Sequence, residues 1–461
     1  MKYEVLISSI DHSGRGISRI DNKIVFVPKT LIGDRCIVKI TKTKKNYFEA
    51  ELVELLEKGP KRIKAVCPYF DICGGCDLLH MSYKDQLRYK EEKVKNIISR
   101  YTSLDKKIVK KIIPCDSKYF YRNKVNFKVR KKIGFYQKKS YDIVEVKRCL
   151  IADSNINDIL NLIRNNINLD FVKEITIRSS LKNDDDMVIF HTTKKINVDA
   201  LKGIVSSIVF YDGKKYEVEY GKPYISDKIG KYEFIISPDS FFQVNTRQVE
   251  NLYDQVLEYA DLKKTDTVLD LYSGTGTIGI YLSSKVSKVI SIEINKDANK
   301  DAIKNKRLNN VDNIEFMCGD ASVLIDQVKD KIDVLIVDPP RSGLNDECIN
   351  NIIKTKANRV VYVSCDPITL ARDLEKLKSK YDTLEITPVD MFCNTYHVEC
   401  VCVLNRQKAL INKEKIDYSV GVKKWWKNDK KLIFLLIFEK NIVEVVCGEY
   451  VSLYYIRLYV L

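Results

Sequence analysis

The string DLYSGTGTIG at residues 270–279 constrains the fold most, because it joins a strand directly to a helix. Residues 267–271 have the composition of a buried strand, and a helical pattern begins after Gly276. Glycines in such a turn let the backbone approach a ligand at the carboxyl end of a parallel strand. The turn is not the GxGxxG fingerprint of dinucleotide sites. We therefore expect a ligand crevice at this edge of a sheet.

Helical and strand-like segments alternate from about residue 245 onward. This alternation predicts a doubly wound α/β domain with a mostly parallel sheet. A last strand near 398–404 follows another strand without a helix between them, and we expect it to be antiparallel. The five expected parallel strands are 267–271, 289–293, 314–318, 334–337 and 360–363.

Acidic residues end the second and third of these strands. Glu293 lies 19 residues after Gly274, where a carboxylate can accept hydrogen bonds from both ribose hydroxyls. Asp320 follows the third strand, where an acid can contact an adenine amino group. Since the three loops meet at one edge, they form a single crevice. The pattern favours S-adenosylmethionine, with an NAD site and a purely structural sheet as the alternatives.

The fourth and fifth strands end in DPPR (338–341) and SCDP (364–367). Cys365 precedes an expected helix, whose N–H groups favour a thiolate, so it is a candidate nucleophile. The alternative is a buried hydrophobic cysteine. Glu399, at the start of the last strand, is a candidate carboxylate base. Taken alone, Glu399 is better interpreted as a surface glutamate on a strand.

Three cysteines fall within ten residues in the string CPYFDICGGC, at Cys67, Cys73 and Cys76. This spacing indicates a metal site, but it contains a single C-x-x-C unit, whereas zinc sites usually have two. A cubane iron–sulfur cluster needs four thiolates. Cys149 is the best candidate for the fourth ligand and Cys115 is its competitor. We expect a structural or substrate-positioning cluster.

The formal net charge of +16 favours a polyanionic partner, although a generally lysine-rich proteome would also produce it. Residues 1–55 have short strand-like runs, with lysines, Tyr47 and Phe48 crowding one hairpin. They predict a five-strand, OB-like barrel that binds single-stranded RNA, or a plain β module with solvated lysines. Residues 120–148 interleave cations and aromatics, which suits RNA or a charged edge hairpin.

The N-terminus has no apolar run of signal-peptide length, and no stretch reaches about 18 apolar residues. These features predict a cytoplasmic protein with reduced thiols, no membrane association and no obligate protein partner. The run LIFLLIF at 432–438 is expected to be a strand or a helix. The tail 407–461 has no function that its sequence indicates.

Four strings occur in an order that resembles the RNA 5-methyluridine methyltransferase family, of the RlmD, RlmCD and TrmA type. They are SPDSFFQVNT (237–246), DLYSGTGTIG, SCDPITLARD (364–373) and DMFCNTYHVE (390–399). The resemblance covers residues 1 to about 406. It implies a Rossmann-like class I methyltransferase domain at 241–406, an N-terminal TRAM barrel at 1–55 and a central α+β domain at 60–240.

The resemblance also implies roles for individual residues. Cys365 is the implied nucleophile and Glu399 the implied general base. The family often has Pro-His or Pro-Gln where this chain has Cys393 and Asn394. The implied ligands of a [4Fe-4S] cluster are Cys67, Cys73, Cys76 and Cys149. The implied S-adenosylmethionine contacts are Gln243, Tyr272, Thr277, Glu293, Asp320 and Asp338.

The implied reaction is methylation of carbon 5 of a uridine in RNA, through a covalent adduct between Cys365 and carbon 6. TrmA-type tRNA enzymes lack both the TRAM barrel and the cluster, so the resemblance favours 23S ribosomal RNA. The target base must leave its stack, and Phe241 or Phe242 is expected to hold it. The alternatives are a base-amino or DNA cytosine methyltransferase, and an RNA-binding protein without activity.

Overall fold

In the computed structural model, which describes residues 2–138, 140–407, 425–428, 431–438 and 441–447, the N-terminal strands form one closed sheet. The strand order is β1-β5-β6-β4-β3-β2. The two ends of this ladder, β1 and β2, are consecutive in the chain, so the sheet closes on itself. Ser8 N, between them, donates to Ile17 O at 2.9 Å. The strands are β1 (Lys2–Leu6), β2 (Ser9–Ile10), β3 (Gly16–Ile20), β4 (Lys23–Val27), β5 (Arg35–Thr43) and β6 (Tyr47–Glu57).

The expected OB-like barrel is therefore confirmed, with one difference in its strand count. The N-terminal segment forms two strands, β1 and β2, on either side of Ile7 and Ser8, and the barrel has six strands where five were expected. Alternate residues of the strands fill the interior, and Val25, Val27 and Val38 are fully buried there.

A central sheet of seven strands, in the order β13-β12-β11-β10-β7-β8-β9, follows the barrel. A separate hairpin, β14–β15, follows this sheet. The elements are α1 (Tyr83–Tyr101), β7 (Lys124–Val129), β8 (Ile133–Tyr136), β9 (Ile143–Glu145), α2 (Ser154–Asn166), β10 (Val172–Ser179), β11 (Asp186–Thr192), β12 (Ser207–Tyr211), β13 (Tyr216–Gly221), β14 (Ile225–Ile229) and β15 (Tyr232–Ile236).

From the sequence we expect strand-like segments after Pro114, up to about residue 236, but helix α2 lies within this region. Asp153 caps its N-terminus by accepting a hydrogen bond from Asn155 N at 2.9 Å. Ile156, Leu160 and Ile163 recur at helical spacing and are fully buried against the central sheet. The capping residue and this period of about 3.6 residues explain why the segment is helical.

The C-terminal sheet of the described unit has the order β18-β17-β16-β19-β20-β22-β21. Strands β16 to β20 are parallel to their neighbours, and β22 is antiparallel to β20 and β21. The expected doubly wound domain with an antiparallel last strand is confirmed. Its elements are α3 (Thr246–Ala260), β16 (Thr267–Leu271), α4 (Thr277–Ser283), β17 (Lys288–Glu293), α5 (Lys296–Leu308), β18 (Ile314–Cys318), α6 (Ala321–Leu324), β19 (Val334–Val337), α7 (Asp346–Thr355), β20 (Arg359–Ser364), α8 (Pro367–Leu377), β21 (Tyr381–Val389) and β22 (Glu399–Arg406).

Helix α1 packs with this C-terminal sheet, although it precedes the central sheet in the chain. Its buried residues Val94 and Ile98 belong to the same apolar core as Leu269 and Leu335 of the parallel strands. The helix is thereby placed beside the segment that joins β21 to β22. The division of the chain at residues 60, 241 and 407 stays a prediction.

The chain divides into two compact units, Met1–Gln407 and Lys408–Leu461. In the second unit, β23 (Trp425–Asn428), β24 (Lys431–Phe438) and β25 (Asn441–Cys447) form an antiparallel sheet. The apolar run LIFLLIF is therefore a strand. Among the helices described here, none is both long and apolar enough to cross a bilayer.

Candidate active site

The glycine turn and the second parallel strand are joined by a carboxylate. Gly274 N donates to Oε2 of Glu293 at 2.8 Å, and Asn295 N donates to Oε1 at 2.7 Å. Tyr272, Gly274 and Gly276 all have left-handed backbone, with φ values of 62°, 55° and 79°. The left-handed conformation of Tyr272 is strained, as is common at ligand sites. Each oxygen of Glu293 accepts one backbone hydrogen bond and keeps a further acceptor site.

The third strand ends beside the other two. Gly319 N donates to the carbonyl oxygen of Glu293 at 2.9 Å, and Ser273 N donates to Ile292 O at 3.1 Å. Asp320, the next residue, is exposed and caps α6 by accepting a hydrogen bond from Ser322 N at 2.8 Å. The loops that carry Tyr272, Glu293 and Asp320 thus form one crevice wall. Their roles toward a cofactor stay predictions.

The segment that carries Gln243 is held from the central sheet. Asn123 Nδ2 donates to Gln243 O at 2.9 Å, and Arg178 Nη2 donates to Ser240 O at 2.5 Å. Both Asn123 and Arg178 are buried, at 6% and 3% exposure. Gln243 itself is partly exposed, while Phe241 is 66% exposed. Neither Asn123 nor Arg178 was predicted to hold this segment, because no feature of the local sequence distinguishes them from the residues around them.

Thr277 and Tyr272 each contact a neighbouring helix. Thr277 Oγ1 lies 2.7 Å from the hydroxyl of Tyr253, and the Tyr272 hydroxyl lies 3.6 Å from Sγ of Cys348. Both residues are partly exposed. The two contacts fix the glycine turn between α3 and α7.

Two carboxyl groups at the ends of β16 and β19 have raised pKa values. Burial, followed by the charge of Asp338, raises the pKa of Asp270 to about 7. Burial likewise raises the pKa of Asp338 to about 7. Asp338 N approaches Leu271 O at 3.4 Å, which sets these strand ends side by side. Shifts of this size are typical of functional sites.

Strand pairing brings Cys365 and Glu399 together. Ser364 pairs with Cys400 in the antiparallel ladder of β20 and β22. Cys365 and Glu399 are the residues next to this last pair, and the charge of Glu399 acts on the Cys365 thiol. Glu399 is 5% exposed, so its interpretation as a surface glutamate is wrong. Burial, followed by Asp338, raises its pKa to about 8, and Arg341 opposes that shift.

The thiol of Cys365 does not ionise readily in the unliganded protein. Burial and the charge of Glu399 raise its pKa to about 12, and Asp338 and Asp366 add to the shift while Arg341 opposes it. The carboxyl groups act against the thiolate, and the expected favourable contribution of the helix end stays a prediction. Asp366 caps α8 by accepting a hydrogen bond from Ile368 N at 2.9 Å, and it adds a negative charge beside the thiol.

Arg341 lies in the string DPPR and is exposed beside the thiol and the carboxyl group. Its Nη2 lies 2.9 Å from Nδ1 of His397. The His397 ring lies against the ring of Tyr396, with their centroids 4.2 Å apart. No role was predicted for these three residues from the sequence. Arg341 lies in the string DPPR, and Tyr396 and His397 lie in the string that contains Glu399. Their closeness in sequence to candidate active-site residues is the feature by which they could have been found.

Helix α1 holds the segment 390–398 that leads to Glu399. Lys90 Nζ lies 2.6 Å from Oδ1 of Asp390 and donates to Phe392 O at 2.9 Å. Gln86 Nε2 donates to Oδ1 of Asn394 at 3.2 Å. The sequence did not signal Lys90, because a lysine in an amphipathic helix normally faces solvent.

The cysteine string lines a cavity of about 490 Å³ between the central sheet and the Gln243 segment. This cavity brings together Cys67, Cys73, Cys76 and Cys149. Cys115 instead belongs to a small buried cluster with Cys393. Across the residues that the structure describes, no three or more His, Cys, Asp or Glu side chains are arranged to hold one metal ion. A cubane separates its ligands more widely, because each thiolate binds a different iron.

Comparison with known families matches two parts of the chain. Residues 214–407 match the model of the tRNA (uracil-5-)-methyltransferase family. Residues 2–53 match the TRAM domain. The matches cover the Rossmann-like sheet with its crevice and the closed barrel.

Relatives that the chain matches over most of their length are named as RNA methyltransferases. The chain is 37% identical to an uncharacterized RNA methyltransferase from Clostridium tetani, over 87% of this chain and 96% of that one. It is 40% identical to an uncharacterized RNA methyltransferase from Caldanaerobacter subterraneus subsp. tengcongensis, over 88% and 98%.

A solved structure resembles nearly the whole described unit. It is the Pyrococcus abyssi tRNA (uracil-54, C5)-methyltransferase in complex with S-adenosyl-L-homocysteine. The TM-score is 0.73 and the sequence identity is 28%, over 87% of this chain and 99% of that chain. On these relatives and family matches, the chain belongs to the tRNA (uracil-5-)-methyltransferase family of RNA methyltransferases.

Proposed function

We propose that this RNA methyltransferase transfers the methyl group of S-adenosylmethionine to carbon 5 of a uridine in 23S ribosomal RNA. Cys365 is the nucleophile and Glu399 is the general base. The observation that carries the proposal is the end of the β20–β22 ladder, where Cys365 and the buried Glu399 adjoin the last paired residues and the carboxyl group acts on the thiol. This pair lies beside Asp338, at the edge where the glycine turn also lies.

The residues of the crevice fit S-adenosylmethionine. Glu293 keeps free acceptor sites for the ribose hydroxyls, and the exposed carboxylate of Asp320 can accept from the adenine amino group. The other side chains that we assign to hydrogen bonding with the cofactor are those of Gln243, Tyr272, Thr277 and Asp338. The complex of the Pyrococcus abyssi enzyme with S-adenosyl-L-homocysteine supports this cofactor. When bound, the cofactor supplies an electrophilic methyl group.

The chemistry requires a covalent step, because carbon 5 of uracil is a weak nucleophile in the conjugated ring. The Cys365 thiolate adds to carbon 6, and the resulting enolate places electron density on carbon 5. Carbon 5 then takes the methyl group of the donor, whose methyl–sulfur bond breaks so that S-adenosyl-L-homocysteine leaves. Glu399 then accepts the proton of carbon 5. The carbon 6–sulfur bond breaks by β-elimination and releases the methylated uridine. One difficult step is thereby divided into easier ones.

The carboxyl group of Glu399 also affects the thiol. While Glu399 is charged, it disfavours the Cys365 thiolate, and Arg341 favours it. Since the pKa of Glu399 is raised to about 8, the carboxyl group is mainly protonated at neutral pH in the unliganded protein. A protonated Glu399 has no negative charge, so it does not oppose formation of the Cys365 thiolate.

The decisive experiment replaces Cys365 by Ala. We expect no transfer of a labelled methyl group to RNA, while S-adenosylmethionine binding measured by calorimetry stays within about twofold. Cys400→Ala, a buried cysteine one residue after Glu399, is the matched control and should remain active. Turnover by Cys365→Ala would show that another residue is the nucleophile.

The choice of ribosomal RNA is supported by the TRAM domain together with the four-cysteine cavity. A second candidate substrate is transfer RNA, which the likeness to the Pyrococcus abyssi tRNA enzyme favours. Transcripts of 23S rRNA domains and of tRNA should be methylated in parallel, with the modified position mapped by mass spectrometry. Faster methylation of tRNA would refute the ribosomal assignment and leave the uridine chemistry standing.

We also propose a [4Fe-4S] cluster bound by Cys67, Cys73, Cys76 and Cys149. The donor set supports it, since four thiol side chains line one cavity and each is a free thiol. The cavity adjoins Phe241 and Phe242, so a cluster there would be placed to support the segment that carries Gln243. Its role would be structural, with no step of the methyl transfer assigned to it.

A further inference from the structure

We propose that His397 is a positioning residue, which accepts a hydrogen bond from Arg341 and holds that guanidinium beside Cys365 and Glu399. The inference rests on the proposed function, because it assigns His397 a task in preparing the thiol for attack. Arg341 is exposed and comes from the loop after β19, whereas His397 belongs to the segment that leads into β22. The hydrogen bond therefore joins the DPPR loop to the base segment.

The geometry defines one orientation for the guanidinium. Nη2 of Arg341 lies 2.9 Å from Nδ1 of His397 and 3.3 Å from Nε2. An exposed arginine without such an acceptor samples many rotamers, and each has a different distance to the thiol. The cation opposes the effect of burial and carboxylates on Cys365, so its position affects the thiolate fraction.

His397 can accept this hydrogen bond only while its ring is neutral, because both nitrogens of an imidazolium are donors. Burial lowers the pKa of His397 to about 3, and four surrounding cations act in the same direction. They come from three other parts of the fold, namely Arg341, Lys90 and Lys93 of α1, and Arg122 before β7. The ring is thus neutral throughout the physiological range.

The His397 ring packs against Tyr396, which Lys93 in turn contacts. Its face lies against Tyr396 at 4.2 Å, and Lys93 Nζ lies 5.1 Å from the centre of the Tyr396 ring. Lys93 Nζ also donates to Tyr396 O at 2.9 Å. Gly14, in a turn of the barrel, lies close to Tyr396. A methyl group added to its Cα would be 3.5 Å from Cβ of Tyr396, which is van der Waals contact. The stack therefore rests on helix α1 and on the TRAM barrel.

The test measures the reactivity of Cys365 in the full chain, without RNA. Iodoacetamide reacts with thiolates, and peptide mapping by mass spectrometry isolates the alkylation of Cys365 from that of other cysteines. At pH 8, His397→Phe should lower the alkylation rate by about tenfold, which corresponds to one unit of thiol pKa. Phenylalanine keeps the ring stack but has no acceptor. Arg341→Gln should give a similar decrease.

His397→Gln supplies the matched control, because its amide oxygen restores a neutral acceptor. We expect its alkylation rate to stay within about twofold of the unmodified chain. Unchanged thermal unfolding and cofactor affinity establish that each variant is folded. The proposal is overturned if folded His397→Phe reacts like the unmodified chain, or if His397→Gln is as slow as His397→Phe. It is also overturned if Arg341→Gln has no effect.

These outcomes are separable from failure of the proposed function. Methylation by Cys365→Ala would refute the nucleophile assignment, whereas the alkylation rates of the His397 variants would be unaffected by that result.

Discussion

Lys90 Nζ lies 2.6 Å from Oδ1 of Asp390, and both side chains are completely buried. The two residues are 300 positions apart in the chain. Their ion pair attaches helix α1 to the segment that carries His397 and leads to Glu399. Since a buried charge without its partner is costly, this pair makes the segment depend on the helix.

Lys90→Met should destabilise the protein strongly, because it leaves the Asp390 carboxylate buried and unpaired. We expect a loss of about 3–5 kcal/mol in the free energy of unfolding, measured with urea. Lys95→Met on the same helix removes a partly exposed pair with Glu91 and should cost less than about 1 kcal/mol. Equal losses for the two variants would contradict the assigned importance of the buried pair.

Glu399→Gln should trap the enzyme on its RNA. The amide has nearly the same shape as the carboxyl group but cannot accept the proton of carbon 5, so elimination stalls after methyl transfer. We expect a covalent protein–RNA adduct that survives denaturing electrophoresis. The double variant with Cys365→Ala should form none. A Glu399→Gln enzyme that turns over without an adduct would exclude Glu399 as the base.

The methylation rate should increase with pH. The pKa of Glu399 is raised to about 8, and the base is active only when ionised, so kcat/KM should rise as the pH passes through about 8. The measurement is the initial rate of methyl transfer between pH 6 and 9 at saturating cofactor. A rate that is flat over this range would indicate that ionisation of Glu399 does not limit the reaction.

Asp270→Asn should stabilise the protein at high pH. The pKa of Asp270 rises from 3.8 to about 7 on folding, so below about pH 4 both states carry the proton. Between these values the folded state alone holds it, and stability is lost as the pH rises through about 7. The variant removes this loss, which we expect to be about 2–4 kcal/mol at pH 8. Urea unfolding at pH 5 and pH 8 tests it, and an equal effect at both values would refute the linkage.

The protein should be coloured when it is purified anaerobically, because the four cysteines of the cavity are proposed to bind an iron–sulfur cluster. A [4Fe-4S] cluster gives broad visible absorption, which Cys73→Ser should abolish, as should removal of the cluster with a chelator and an oxidant. Cys115→Ser should retain the absorption, because Cys115 is buried beside Cys393 and does not line the cavity. A colourless protein with one equivalent of zinc would refute the iron–sulfur assignment.

Much of the fold was predictable because it depends on local patterns. The apolar runs of β16 to β20 alternate with amphipathic helices, and that period alone indicates a doubly wound sheet. Helix α2 shows the limit of the approach. Its capping residue Asp153 was present in the sequence, but the neighbouring β-rich composition outweighed it.

The candidate site was predictable where a string contained both the residue and its context. The glycine turn and Glu293 occur at the spacing of a strand, a helix and a strand, and the structure joins them by a hydrogen bond. The raised pKa of Cys365 was not predictable, because the sequence shows the following helix but not the carboxyl groups that folding places beside the thiol.

The sequence by itself determined the order of strands, turns and helices and the edge of the sheet at which the ligand crevice lies. These follow from periodicity and from glycine positions, which act over a few residues. The tertiary structure alone decided that Cys365 lies beside Glu399, that Lys90 neutralises Asp390, and that Arg341 meets His397. Burial and charge pairing join residues far apart in the chain, so neither their pKa values nor their roles can be read from local sequence.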